Sequence, residues 1–124
     1  MGQSENLPLY RDSYRLLNQV IVLTQSFPRF FRFGLGVRMV DLCMDMISMI
    51  FRANSSYDKL PALLELTDRH RMLQMLFRVC VEQKLITERQ YAGYAMLLDQ
   101  MGRQITGWRQ YAEKGAAGKV AKTK

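Results

Sequence analysis

The sequence predicts an all-α fold: an antiparallel four-helix bundle in up-down-up-down order. Three observations carry that expectation. Apolar residues recur at steps of three and four through four separate stretches, the spacing of one helical face, and no stretch alternates as a strand does. The breaks between stretches are short and hold helix-ending residues such as Pro28 and the run Asn54, Ser55, Ser56. The chain has 124 residues, 48% of them hydrophobic and only three of them proline, which suits one ordered domain with a real core. That domain is expected over residues 1–114, with a basic, disordered tail at 115–124.

The first helix is expected over residues 9–26, stopping ahead of Pro28, which disfavours a helical residue before it. The following segment, Phe27 to Gly36, reads FPRFFRFGLG and is taken as a connection. The second helix covers 35–53 and ends at Asn54. The third covers 58–84, with Asp58 as its expected N-cap and Pro61 tolerated in the first turn. The fourth covers 87–114. It opens on Thr87-Glu88-Arg89-Gln90, a capping box in which Thr87 and Gln90 can satisfy each other's free amides, and Gly115 and Gly118 release the chain beyond it.

Spacing inside each helix says which face turns inward. Tyr91, Tyr94, Leu98, Met101, Ile105 and Trp108 form the core stripe of the fourth helix. Gly93, Gly102 and Gly107 in the same helix each cost about 1 kcal/mol against alanine, so close approach of a neighbouring helix is expected at all three. In the third helix the stripe is Leu63, Leu66, His70, Leu73, Phe77 and Cys80, which makes His70 a packed, hydrogen-bonded histidine. Cys43 and Cys80 read as small buried hydrophobes. The second helix is different. Its polar residues, Arg38, Asp41, Asp45, Ser48 and Arg52, make one narrow line, and nearly everything else is apolar. A lone subunit would leave much of that surface in water, so a second subunit is expected to cover it. Met39, Leu42, Met46, Met49 and Ile50 are the expected oligomer interface; a central position within one bundle is the alternative.

No catalytic constellation can be assembled. The sequence holds one histidine, no Gly-rich phosphate loop and no Ser or Cys with a base beside it, so neither an enzyme nor a cofactor or metal site is expected. Asp41 and Asp45 could in principle hold Mg²⁺, but Arg38 and Arg52 on the same line favour an ion-paired stripe. No apolar run reaches the roughly 18 to 20 residues of a membrane span, the N-terminus lacks a signal-peptide layout, and Asn6 breaks a myristoylation pattern at Gly2. A cytoplasmic protein with no membrane partner is expected.

The net charge is +7, and Lys114, Lys119, Lys122 and Lys124 follow the last acidic residue, Glu113. A polyanion is the natural partner of such a balance. The basic candidates for nucleic-acid contact are Arg69, Arg71 and Arg78 on the third helix, Arg103 and Arg109 on the fourth, and Lys114 at its end. Arg71 and Arg78 are seven apart and project the same way, with Gln74 between them. Arg29 and Arg32 interleave with Phe27, Phe30, Phe31 and Phe33, a pattern that can grip phosphate while bases stack. For that connection alone the favoured account is that the phenylalanines cap the bundle and the arginines are solvated. No sequence-reading module is present, so contact would be to backbone and shape and would depend strongly on salt.

Three segments carry a family resemblance: FPRFFRFGLGVR from Phe27 to Arg38, LPALLELTD opening the third helix, and MGRQITGW from Met101 to Trp108. With these the chain resembles, over residues 7–112, the four-helix-bundle family of the accessory variability determinant (Avd) of diversity-generating retroelements. Proteins encoded in intervening sequences of 23S ribosomal RNA genes belong to the same family. The resemblance implies a homopentameric barrel with a basic surface, partnered by itself, by a reverse transcriptase and by template RNA or an RNA/DNA hybrid. Its implied role is non-catalytic: support of mutagenic cDNA synthesis, the retroelement's mutagenic retrohoming. It puts Arg78 first among the contact residues, then Arg71 and Arg103, although Gln74 and Met75 stand where a further basic residue would be expected. The alternative role is that of the intervening-sequence type, RNA-binding or purely structural.

Overall fold

The structure is a computed structural model that describes residues 7–123, with side chains described over 7–115. It is all-helical among these residues. The elements are α1 (Pro8–Gln25), a single turn α2 (Arg29–Phe31), a π turn (Arg32–Gly36), α3 (Val37–Ser55), α4 (Leu60–Glu82) and α5 (Glu88–Thr123). The four long helices pack in chain order around one core, α1 on α3, α3 on α4, α4 on α5, and α5 back on α1. This is the up-down-up-down bundle.

Local chemistry explains most boundaries. Pro8 opens α1, where its missing amide costs no hydrogen bond. Ser26 closes it, its amide and its hydroxyl both donating to the Leu23 carbonyl, the hydroxyl at 2.6 Å. α4 begins at Leu60, later than expected, because the Asp58 carboxylate reaches only the Leu60 amide, at a long 3.4 Å. The residue that organises this junction is Lys59. Its ammonium donates to the carbonyls of Ala53, Asn54 and Ser56 at 2.9, 3.3 and 3.0 Å, closing α3 with the positive charge a helix C-terminus favours. α4 ends in a Schellman turn. Lys84 takes a left-handed φ of 59°, Leu85 N–H donates to the Cys80 carbonyl and Lys84 N–H to that of Val81. The capping box of α5 forms, with Thr87 N–H on Gln90 Oε1 at 2.8 Å and Gln90 N–H on Thr87 Oγ1 at 3.0 Å.

Several expectations are corrected. The segment from Arg29 to Gly36 is not a connection but the start of the second long helix, which runs from α2 through the π turn into α3. Phe31 and Arg32 amides both donate to the Pro28 carbonyl at 2.9 Å, so the helix restarts directly after the proline. Gly36 is buried against α1, where a Cβ would lie 3.1 Å from Thr24 Cβ, so the glycine permits close approach of the π turn. α5 does not stop at Lys114: its backbone stays helical through Gly115 to Thr123, in keeping with the helix propensity of the alanines and lysines there. Lys124 lies outside the described residues.

The core centres on Phe77, whose ring stacks on Tyr94 at 4.6 Å, and on Leu16, Val20, Leu63, Leu66, Leu98 and Met101. Met39, Leu42, Met46, Met49 and Ile50 belong to it too. The five residues expected at an oligomer interface are thus buried inside the bundle of this one chain, because α3 sits between α1 and α4. The apolar residues that α3 does expose are Val37, Met44 and Phe51, one position per two turns, with Val40 and Ile47 half-buried beside them.

Candidate nucleic-acid interface

α4 and α5 enclose an open groove of about 580 Å³. Arg71 and Gln74 line it from α4, and Asp99, Arg103, Thr106 and Arg109 from α5. Its floor is set by a histidine and a glycine. His70 is 7% exposed and its Nε2 lies 2.7 Å from the Leu98 carbonyl; a carbonyl only accepts, so Nε2 carries the proton. The ring fits because Gly102 has no side chain: a Cβ there would sit 3.0 Å from His70 Cε1. Burial lowers the His70 pKa, with the neighbouring Arg71 adding to the fall, while the Leu98 carbonyl and Asp99 push it back up. The imidazole is therefore neutral at pH 7, and the positive charge of the groove comes from its guanidinium groups. Close approach at Gly102 is as expected from the sequence. Gly93 and Gly107 meet nothing within 4 Å among the described residues, which corrects that expectation for both.

The structure divides the basic residues singled out from the sequence. Arg71, Arg103 and Arg109 come together in the groove although the first stands on α4 and the other two on α5. Arg78 is exposed on α4 two turns beyond Arg71, outside the groove lining, and Lys114 is exposed on α5 beyond Arg109. Arg69 turns the other way, toward α3, with its Nε 3.9 Å from Asp45 Oδ2. Together with the 2.8 Å pair between Arg52 and Glu65 it ties two residues of the polar line of α3, Asp45 and Arg52, to α4 rather than to one another. Arg109 keeps its Nε 3.6 Å from Glu113 one turn on, so an acid also stands beside this arginine of the groove.

Arg29 and Arg32 lie at the other end of the bundle, beside α1 and α3. Both guanidiniums sit over the Phe33 ring, at 5.8 and 5.0 Å from its centroid. Phe27 is buried and Phe31 half-buried, as expected of residues that cap the bundle, but Phe30 and Phe33 point into solvent.

Three features escaped the sequence. Asp99 places a carboxylate among the arginines of the groove. Arg15 joins Arg103 along a second groove of about 500 Å³ between α1 and α5, so that Arg103 borders both. Buried Asp12 accepts from the side-chain amides of Gln100 at 3.0 Å and Gln104 at 2.8 Å, tying α1 to α5. The one signal for Asp12 was an acid on an otherwise apolar face between Leu9 and Leu16. The thiols of Cys43 and Cys80 are buried and pushed up by that burial, to about 12 and about 11, which leaves them unreactive at neutral pH.

Among the described residues no group of three His, Cys, Asp or Glu side chains is placed to hold a metal ion, and no helix is long and apolar enough to cross a membrane. These features define an all-α protein, a four-helix bundle with an arginine-lined groove along two of its helices. The sequence matches the bAvd-like family over residues 9–112, and the chain belongs to that family. Among curated proteins none matches it.

Proposed function

We propose that this protein is a non-catalytic, cytoplasmic accessory factor of a diversity-generating retroelement. In this reading it is a basic, self-associating scaffold that holds template RNA, or an RNA/DNA hybrid, against the reverse transcriptase during mutagenic cDNA synthesis. The observation that carries the reading is the meeting of Arg71, Arg103 and Arg109 in one groove of a bAvd-like chain. Guanidinium groups present several donors in a fixed plane and suit phosphate oxygens, and three in one groove make a track for a phosphate backbone. Arg78 and Lys114 extend it toward either end of the same two helices. Thr106, Gln74 and Asp99 add neutral and acidic hydrogen-bonding groups that suit ribose hydroxyls.

Self-association, with five subunits as the proposed number, uses the outer face of α1 and α3. Tyr14 and Ile21 on α1 and Val37, Met44 and Phe51 on α3 are exposed apolar residues, and Tyr10 joins the two helices by a ring contact with Phe51 at 5.4 Å. Closing a ring through that face leaves the α4/α5 grooves repeated around the particle and multiplies a modest charge into a strongly basic belt.

The test is affinity purification of the tagged protein from its native cells, with identification of protein and RNA together. Recovery of a reverse transcriptase with one defined RNA supports the accessory role. Ribosomal RNA alone moves the protein to the intervening-sequence type, and neither partner removes the proposal.

A further inference from the structure

A second cluster of arginine and aromatic residues stands apart from the groove. Phe30 is 84% exposed and Phe33 63%, three positions apart on the helical turn and π turn that lead into α3. Among the described residues none buries these two phenyl rings. Both rings are nonetheless held in place. Phe31, half-buried, meets Phe30 edge to face at 5.3 Å, and the Arg29 and Arg32 guanidiniums lie over Phe33. Beneath them the π turn is seated against α1 at Gly36 and Thr24, and Phe27 is buried. A π turn inserted in a longer helix is a common mark of a functional position.

We infer that the Arg29–Gly36 turn is a stacking platform for unpaired nucleobases. The two exposed rings offer aromatic surface to bases, and the two guanidiniums over Phe33 offer charge to the phosphates between them. Charge complementarity selects a polyanion as the occupant: in the small apolar pocket beside Phe33, lined also by Val37 and Val40, Asp41 is the one acid. Flat rings select an unpaired strand, since bases inside a duplex are already stacked on one another. The platform lies at the far end of the bundle from Arg109, so it is a separate site and not an extension of the groove. It shares with the proposed function only the premise that the partner is a nucleic acid: Arg71 and Arg103 test the groove, Phe30 and Phe33 the platform, and either can fail alone.

The experiment uses the full chain, a short single-stranded RNA carrying one 2-aminopurine, and a duplex RNA of the same length. The wild type is expected to quench the 2-aminopurine on binding. The double substitution Phe30→Leu, Phe33→Leu keeps apolar bulk and helix propensity but removes the rings. It is expected to weaken single-strand binding about tenfold or more. Duplex affinity and the slope of log affinity against log salt stay unchanged, because every cationic side chain is kept. The pair Phe30→Tyr, Phe33→Tyr, which keeps the rings, retains wild-type binding and controls for misfolding of the leucine variant. The inference would be overturned by no single-strand binding by the wild type, unchanged single-strand affinity in the leucine variant, an equal loss for the duplex, or a fall in molar mass by light scattering, which would make the rings a contact between copies. Loss of binding to phosphatidylserine vesicles with RNA binding intact would overturn it in favour of a membrane surface.

Discussion

Replacing Gly102 by alanine sets two effects of known size against each other. In a helix interior the change is worth about 1 kcal/mol in favour of alanine. The new methyl would sit 3.0 Å from His70 Cε1 and 3.4 Å from Nε2. The imidazole cannot swing away freely, because Nε2 is held by the Leu98 carbonyl at 2.7 Å and the ring is buried. Overpacking of this kind costs about 1–3 kcal/mol, and loosening the hydrogen bond adds about 1 kcal/mol. Gly102→Ala should therefore destabilise by about 1–3 kcal/mol. Gly107→Ala is the internal control. Its methyl meets nothing within 4 Å among the described residues, so it should stabilise by about 1 kcal/mol. Urea titrations at matched protein concentration separate the two, with midpoints about 1 M or more apart for a slope near 2 kcal/mol per M. A Gly102→Ala protein as stable as Gly107→Ala would show that accommodating His70 is not what the glycine does.

Other consequences are equally direct. The His70 pKa lies below its ordinary 6.5 in the folded chain, so the unfolded chain takes up the proton first as pH falls. Its contribution to stability is complete above about pH 6.5, is lost below it, and levels off once the folded state protonates too; urea midpoints across that window should fall, and His70→Gln should remove this component. Lys84→Gly relieves a left-handed residue at the end of α4 and should add about 1 kcal/mol, seen as a melting temperature raised by roughly 3–5 °C; no rise would mean that the φ of 59° carries no strain. Met44→Glu places a charge on the exposed face of α3 and should lower the molar mass by light scattering without unfolding the subunit. A mass unchanged by it would take α3 out of any interface.

How far the sequence could be read depended on whether the signal was local. Pro28, Pro61 and the Thr87–Gln90 box act within one turn, and they mark where α1 ends and α4 and α5 begin to within a few residues. The period of α4 placed His70 at the core edge for the same reason. Gly93, Gly102 and Gly107 look alike in sequence, and only the packing of α4 against α5 singles out Gly102. On α3 the residues Met39, Met46 and Ala53 repeat every seven positions, and so do Val37, Met44 and Phe51. Which set faces the core is decided by where α1 and α4 sit, and the first set won. The basic residues were visible as residue types, but the grouping of Arg71 with Arg103 and Arg109, the turning of Arg69 toward Asp45, and the grip of Asp12 on Gln100 and Gln104 all depend on packing between distant stretches of chain.

The central claim is that the α4/α5 groove carries a phosphate backbone, and salt-dependent RNA affinity of the double substitution Arg71→Gln, Arg103→Gln tests it most directly. Arg38→Gln, on the exposed side of α3, is the control. The account predicts affinity lower by tenfold or more for the double variant and a log–log salt slope shallower by about 1.5, because each arginine neutralises one phosphate, with Arg38→Gln close to wild type. Affinity and slope equal to the wild type in the double variant would contradict it and take the groove out of RNA binding.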